Sequence, residues 1–238
     1  FENWPWLASS STFCATMSAR TSSAARSPSR GARMAPIRAA IVLPWRRVKP
    51  LAPLTARRLG AGNAAAIRAA HPAVDLLVNN AGTNQPQPFV DVTDEALDRL
   101  LLLNVRSAFR IARSAARKMP KGSAIIHMTS QMGHVGSPNR TVYCMTKHAL
   151  EGLSKAMAVE LAPTGIRVNC VAPTFVRTPM TERMFADPQF AEFVNRMIPL
   201  GQLATADQIA AAVVYLASPA AAMITGHSLV IDGGWTAQ

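Results

Sequence analysis

The sequence predicts an α/β protein built on a doubly wound parallel sheet. Apolar strand-like runs alternate with longer helical segments from about residue 64 to the end of the chain. The runs at 74–82, 123–130 and 166–173 read as buried strands, as expected of a parallel sheet covered on both faces. Each of the three ends in a polar cluster, and ligands of open α/β sheets bind at the carboxyl ends of strands.

Each element has a local reason. VDLLVNNAG (74–82) reads as a short strand entering a polar turn at Gly82. Thr93 can cap a helix, with Asp94 and Glu95 in the first turn where the helix dipole favours acids. That helix is expected to run to Met119 and stop at Pro120. SAIIHMTS (123–130) is a second buried strand, and QMGHVGSPNR (131–140) is turn-rich. A helix from about Val142 to Ala162 is stopped by Pro163, and Gly165 opens a third strand, IRVNCVAP (166–173). DQIAAAVVYLAS (207–218) is helical, and HSLVIDGG (227–234) supplies a last strand and turn.

The chain has 238 residues and a formal net charge of +12, with a sequence pI near 11.0. Three widely spaced cysteines make no disulfide framework and fit reduced thiols in a cytoplasmic protein. The longest apolar run, Ile209 to Ala217, is far short of the roughly 18–20 residues that span a membrane. So strong a basic balance ordinarily points to nucleic acid, but its position argues otherwise. Residues 1–73 carry +10 of it, with Glu2 the single acid; residues 74–238 carry only +2. No nucleic-acid partner is therefore expected. Arg106, Arg110, Arg113 and Arg117 fall at helical spacing and read as a solvated or subunit-facing stripe.

Residues 1–63 form an anomalous segment rich in Ala, Arg, Ser and Pro, without helical or strand periodicity. Only IVLPW (41–45) resembles a strand, and Pro44 interrupts it. Residues 64–238 carry the regular strand and helix pattern of a single domain. The first βαβ unit is thus in doubt.

The chemistry centres on Tyr143 and Lys147, four residues apart and so on one face of a helix. A free phenol with a pKa of about 10 transfers protons poorly at neutral pH, and a nearby ammonium favours its ionised form. Ser130, at a strand end, can donate a hydrogen bond to an oxygen on which charge develops. Either feature alone is commonplace on protein surfaces and in turns. His134, four residues past Ser130, is a further candidate substrate contact. The five histidines show no metal spacing, so no metal is expected.

Taken in order, NNAG (79–82), Asn104 in LLLNV, Ser130 in TSQMG, YCMTK (143–147), NCVAPTFVRTPM (169–180), PLG (199–201) and TGHSLVIDGG (225–234) resemble the short-chain dehydrogenase/reductase family. The resemblance implies a Rossmann-like fold and hydride transfer between NAD(P)(H) and a small alcohol or carbonyl of the sugar, polyol or oxoacyl type. It implies that Tyr143 exchanges the substrate proton, Ser130 holds the substrate oxygen, and Lys147 binds the nicotinamide ribose and lowers the tyrosine pKa. Asn104 would hold a water in a proton relay. The backbone of Asn80, Ala81 and Gly82 would pass under the adenosine side of the cofactor, and Pro173, Val176 and Thr178 would contact its nicotinamide amide and phosphates. Residues 179–200 would form a substrate lid, and the protein would assemble as a homodimer or homotetramer.

Two departures stand out. Thr174 replaces the glycine that usually follows Pro173. More seriously, the Gly-rich turn that receives the pyrophosphate is expected within roughly the first twenty residues, and residues 1–20 contain no glycine. GAGNAA (60–65) matches G-x-G-x-x-A but follows TARRL rather than a strand, and reads as a loop and helix start. The basic segment could be a transit peptide, a nucleic-acid-binding arm, or, as preferred here, an out-of-frame reading of a GC-rich gene. The alternative function is a non-catalytic chain unable to hold the cofactor. The residue that selects NAD or NADP would fall in this same segment.

Overall fold

The computed structural model describes residues 39–42, 74–177, 181 and 184–238. Five parallel strands form the main sheet in the order β1 (Ala39–Val42), β2 (Leu76–Asn79), β3 (Ala124–Met128), β4 (Arg167–Pro173) and β7 (Ser228–Ile231). Two short strands, β5 (Val176–Arg177) and β6 (Ala204–Thr205), pair separately. β1 overlaps the strand-like run noted at 41–45, and it ends two residues before Pro44. GAGNAA and Thr178 lie outside the described residues.

Both faces of the sheet are covered, which explains why its strands are rich in apolar residues. On one face Leu77, Ile125 and Val168 pack against Ile111, Ala112 and Ala158. These come from α2 (Ser107–Ala116) and α3 (Thr141–Leu161). On the other, Leu76, Val78 and Ile126 meet Ile209, Val213 and Leu216 of α5 (Ala206–Ala217). Each fully buried Leu or Ile contributes roughly 1.5–3 kcal/mol of transfer free energy.

The helix expected from Thr93 to Met119 is interrupted. Thr93 caps α1 (Asp94–Leu100) by accepting from the Ala96 amide at 3.3 Å. A π-helical turn, Leu101–Arg106, then leads into α2, which ends at Ala116. Wide turns of this kind are frequent at functional sites, and this one carries Asn104. Glu95 sits at the exposed start of α1, where hydrogen bonds from its own backbone amide and from Thr93 hold its carboxyl below the usual range. Helix α5 begins with a reciprocal cap between Thr205 and Gln208. Arg167 donates to the carbonyls of Leu216 and Ala217 at 2.6 and 3.3 Å, joining β4 to the end of α5.

Candidate active site

Tyr143 and Lys147 stand one turn apart near the start of α3, and the Lys147 ammonium lies 5.4 Å from the centre of the Tyr143 ring. Lys147 is buried and donates from Nζ to the Met128 carbonyl at 2.9 Å. Burial depresses its pKa to about 8, opposed by the groups of Cys170 and Glu151. The Tyr143 hydroxyl is raised above its ordinary value by burial, and hydrogen bonding to Ser130 and the Arg140 guanidinium act against the rise. The Lys147 ammonium is turned to the Met128 carbonyl.

Ser130 is extended at the end of β3 and caps a short 3-10 turn, Gln131–Gly133, by accepting from the Met132 amide at 3.2 Å. This turn lies directly on α3. A Cβ on Gly133 would stand 3.1 Å from Glu151 Cγ and 3.2 Å from the Lys147 carbonyl oxygen, so only glycine permits the approach without displacement.

Asn104 is buried, and its side chain closes a pair of bonds with the backbone of Thr83. Oδ1 accepts from the amide at 2.8 Å and Nδ2 donates to the carbonyl at 2.9 Å. Nδ2 also donates to Thr146 Oγ1 at 3.1 Å. The loop after β2 is thereby held against α3. A side chain on Gly82 would project to 3.4 Å from Asn104 Oδ1 and 3.7 Å from Lys147 Nζ, so Gly82, Asn104 and Lys147 share one small space. Asn80 and Ala81 lie in the same loop, exposed and half-buried respectively.

Pro173 ends β4, half-buried. Val176 packs against the apolar cluster of the α5 face, while its carbonyl accepts from Thr181 Oγ1 at 2.7 Å. His134 faces Ser228 Oγ at 3.0 Å and Glu151 Oε1 at 3.3 Å, not Tyr143. Sequence reasoning passed over Glu151 and Ser228, although Glu151 follows Lys147 by the same four-residue step that joins Lys147 to Tyr143.

His127 is fully buried on β3 and neutral, its pKa lowered to about 4 by burial first and by Lys147 second. Asn79 fixes the tautomer. Its Nδ2 donates to the Ala108 carbonyl at 3.2 Å and faces His127 Nδ1 at 3.2 Å, so Nδ1 accepts and the proton sits on Nε2. The loop before α3 turns on Asn139, whose φ of 59° is left-handed, and the Asn139 carbonyl accepts from the Gln87 amide at 3.0 Å.

The chemistry of the site fits a dinucleotide on its nicotinamide side. Gln131 Oε1 and Thr174 Oγ1, both just past strand carboxyl ends, are buried oxygens without hydrogen-bond partners. Gly82 leaves open the space in front of Lys147 and Asn104. Among the described residues no cluster could hold a metal ion, and no helix is long and apolar enough to cross a membrane.

A family model described as enoyl-(acyl carrier protein) reductase matches residues 60–236. L-xylulose reductase of Bos taurus is 42% identical over 167 residues, covering 69% of this chain and 68% of that protein. D-erythrulose reductase of Gallus gallus is 42% identical over 174 residues, covering 72% and 70%. Among solved structures, 4-hydroxyisoleucine dehydrogenase complexed with NADH superposes with a TM-score of 0.70 at 30% identity, covering 74% of each chain.

Proposed function

The chain belongs to the short-chain dehydrogenase/reductase family and is an NAD(P)-dependent oxidoreductase of small alcohols and carbonyls; from that premise we propose that it reduces a short ketose to the corresponding polyol, with Tyr143 as the proton donor. The observation that carries this reading is the Tyr143–Lys147 pair on α3, set against the Ser130 turn. Relatives named for L-xylulose and D-erythrulose reduction favour a ketose over an oxoacyl substrate.

The bound NAD(P)H would supply the hydride that reduces the carbonyl carbon. Burial keeps the Tyr143 phenol protonated at neutral pH, the state required of an acid that gives its proton to the carbonyl oxygen. Ser130 would hold that oxygen, and the phenolate left behind is stabilised by Ser130 and the Arg140 charge. Lys147 and Asn104, flanking Gly82, would hold the nicotinamide ribose and a relay water, and the backbone of Asn80 to Gly82 would line the adenosine side. Pro173 and Val176 stand at the strand end where the nicotinamide amide would lie, and Thr178 is assigned with them from the sequence alone. Residues 64–238 make up the catalytic part. We further assign a cytoplasmic homodimer or homotetramer, with α2 and α3 at the interface, since Phe109, Met145 and Val159 expose apolar side chains there.

Purified protein mixed with NADPH or NADH and either L-xylulose or D-erythrulose is expected to consume the reduced cofactor, seen as loss of nicotinamide absorbance. Tyr143→Phe should abolish turnover while leaving cofactor fluorescence titrations unchanged. Retained turnover would overturn the proton-transfer role. Failure of both dinucleotides to bind at millimolar levels would favour the non-catalytic reading instead.

A further inference from the structure

We infer that Glu151 is a positioning residue for the reaction: one buried carboxylate oxygen fixes the Ser130 turn to the helix that carries Tyr143. This rests on the reading of Tyr143 and Ser130 given above. Glu151 Oε1 accepts from Thr129 Oγ1 at 2.6 Å and from Ser228 Oγ at 2.9 Å, and it lies 3.3 Å from His134 Nε2. Thr129 immediately precedes Ser130 and His134 follows it by four residues, so both flanks of the turn converge on one atom. Gly133 provides the space, since its backbone lies against Glu151 Cγ and the Lys147 carbonyl.

The geometry has a consequence for the reacting pair. Ser130 reaches Tyr143 from a strand end, whereas Tyr143 is carried by a helix, and the two elements must be held in register to within a fraction of an ångström. The Lys147–Met128 and Glu151–Thr129 bonds tie the strand to the helix before the turn, and Glu151 faces His134 just after it. A carboxylate that is only 5% exposed is costly to bury unless its oxygens are bonded, and here the bonds come from Thr129, beside Ser130, and from Ser228 of β7. Beside Glu151 stand Lys147 from α3, His134 from the turn and Cys170 from β4. Burial and the Glu151 carboxylate hold the Cys170 thiol protonated, and it donates to Ser154 Oγ at 2.9 Å.

The test uses the full chain, with L-xylulose and NADPH as probes. Glu151→Ala should lower kcat roughly tenfold or more, with KM for the ketose and the fluorescence-measured Kd for NADPH within about threefold of wild type. Glu151→Gln, whose amide oxygen still accepts from Thr129 and Ser228, should restore kcat to within about threefold. An unchanged kcat in Glu151→Ala, or a Glu151→Gln as slow as Glu151→Ala, overturns the inference.

A second measurement needs neither turnover nor a stable Glu151→Ala. The chain has two tyrosines, so in a Tyr215→Phe background ultraviolet titration reports Tyr143 alone. Thr129→Val removes the shortest contact and keeps the charge. It should shift the Tyr143 titration upward as Ser130 loses its place beside the phenol; no shift, or a downward one, overturns the inference. Turnover retained by Tyr143→Phe would instead sink the catalytic reading, so the two failures are distinguishable.

Discussion

Lys147 donates to the carbonyl of Met128, the last residue of β3, and this bond sets α3 against the strand that leads to Ser130. It also spends the ammonium on a backbone oxygen rather than on the phenol. A cation buried this way is costly to charge, and its pKa falls to about 8.

A stability profile follows from that value. Lys147 is depressed in the folded chain, so the unfolded chain binds more protons between pH 8 and the ordinary lysine value. Stability should therefore rise with pH across that window. Lys147→Met is expected to raise the melting temperature at pH 7 and to flatten this rise, at the cost of activity. A lower melting temperature at pH 7 would contradict the assignment.

His127 gives the complementary prediction on the acid side. Its folded pKa is near 4, so the unfolded chain takes up the proton first as pH falls below about 6.5. Stability should drop between pH 6.5 and 4 by about 3 kcal/mol from this residue. His127→Asn should remove that component, as read by urea denaturation at several pH values. An unchanged slope would show that another group dominates.

Gly133→Ala should destabilise the fold by about 1–3 kcal/mol, because the added methyl meets both Glu151 and the Lys147 carbonyl. Thermal melts would show this, and kcat should fall with it. A fully stable variant would mean that the turn can lift from the helix.

Gly82→Ala separates folding from binding. The nearest atoms to the new methyl are at 3.4 and 3.7 Å, ordinary contact distances, so the melting temperature should change little. The methyl nevertheless occupies the space in front of Asn104 and Lys147, and the Kd for NADPH should weaken roughly tenfold or more. Unaltered binding would place the nicotinamide ribose elsewhere.

Much of this arrangement was legible in residue order. The strands around Leu77, Ile125 and Val168 were readable because burial on both faces leaves them mostly apolar, with Asn79, His127 and Asn169 as buried exceptions. Tyr143, Lys147 and Ser130 were readable because their motifs are local. The π-helical turn at Asn104 was not, since it changes hydrogen-bond register without a proline or glycine to announce it. Glu151 was not, because a carboxylate on a long helix ordinarily faces water, and only tertiary contact with Thr129 and Ser228 reveals its burial. The strand at Ala39–Val42 has two alanines and an abrupt proline boundary, so its pairing with β2 lies in partner geometry rather than in its own pattern.

The left-handed turn at Asn139 links two halves of the molecule that are distant in sequence. Its carbonyl receives the Gln87 amide, so the loop descending from Gly82 and the loop rising into α3 meet at one shared peptide. Asparagine tolerates that backbone shape where a β-branched residue would not. The rim of the cofactor side and the root of the catalytic helix are therefore stitched together from outside the reaction centre. A substitution there would reach Tyr143 by tilting its helix, without touching any atom that reacts.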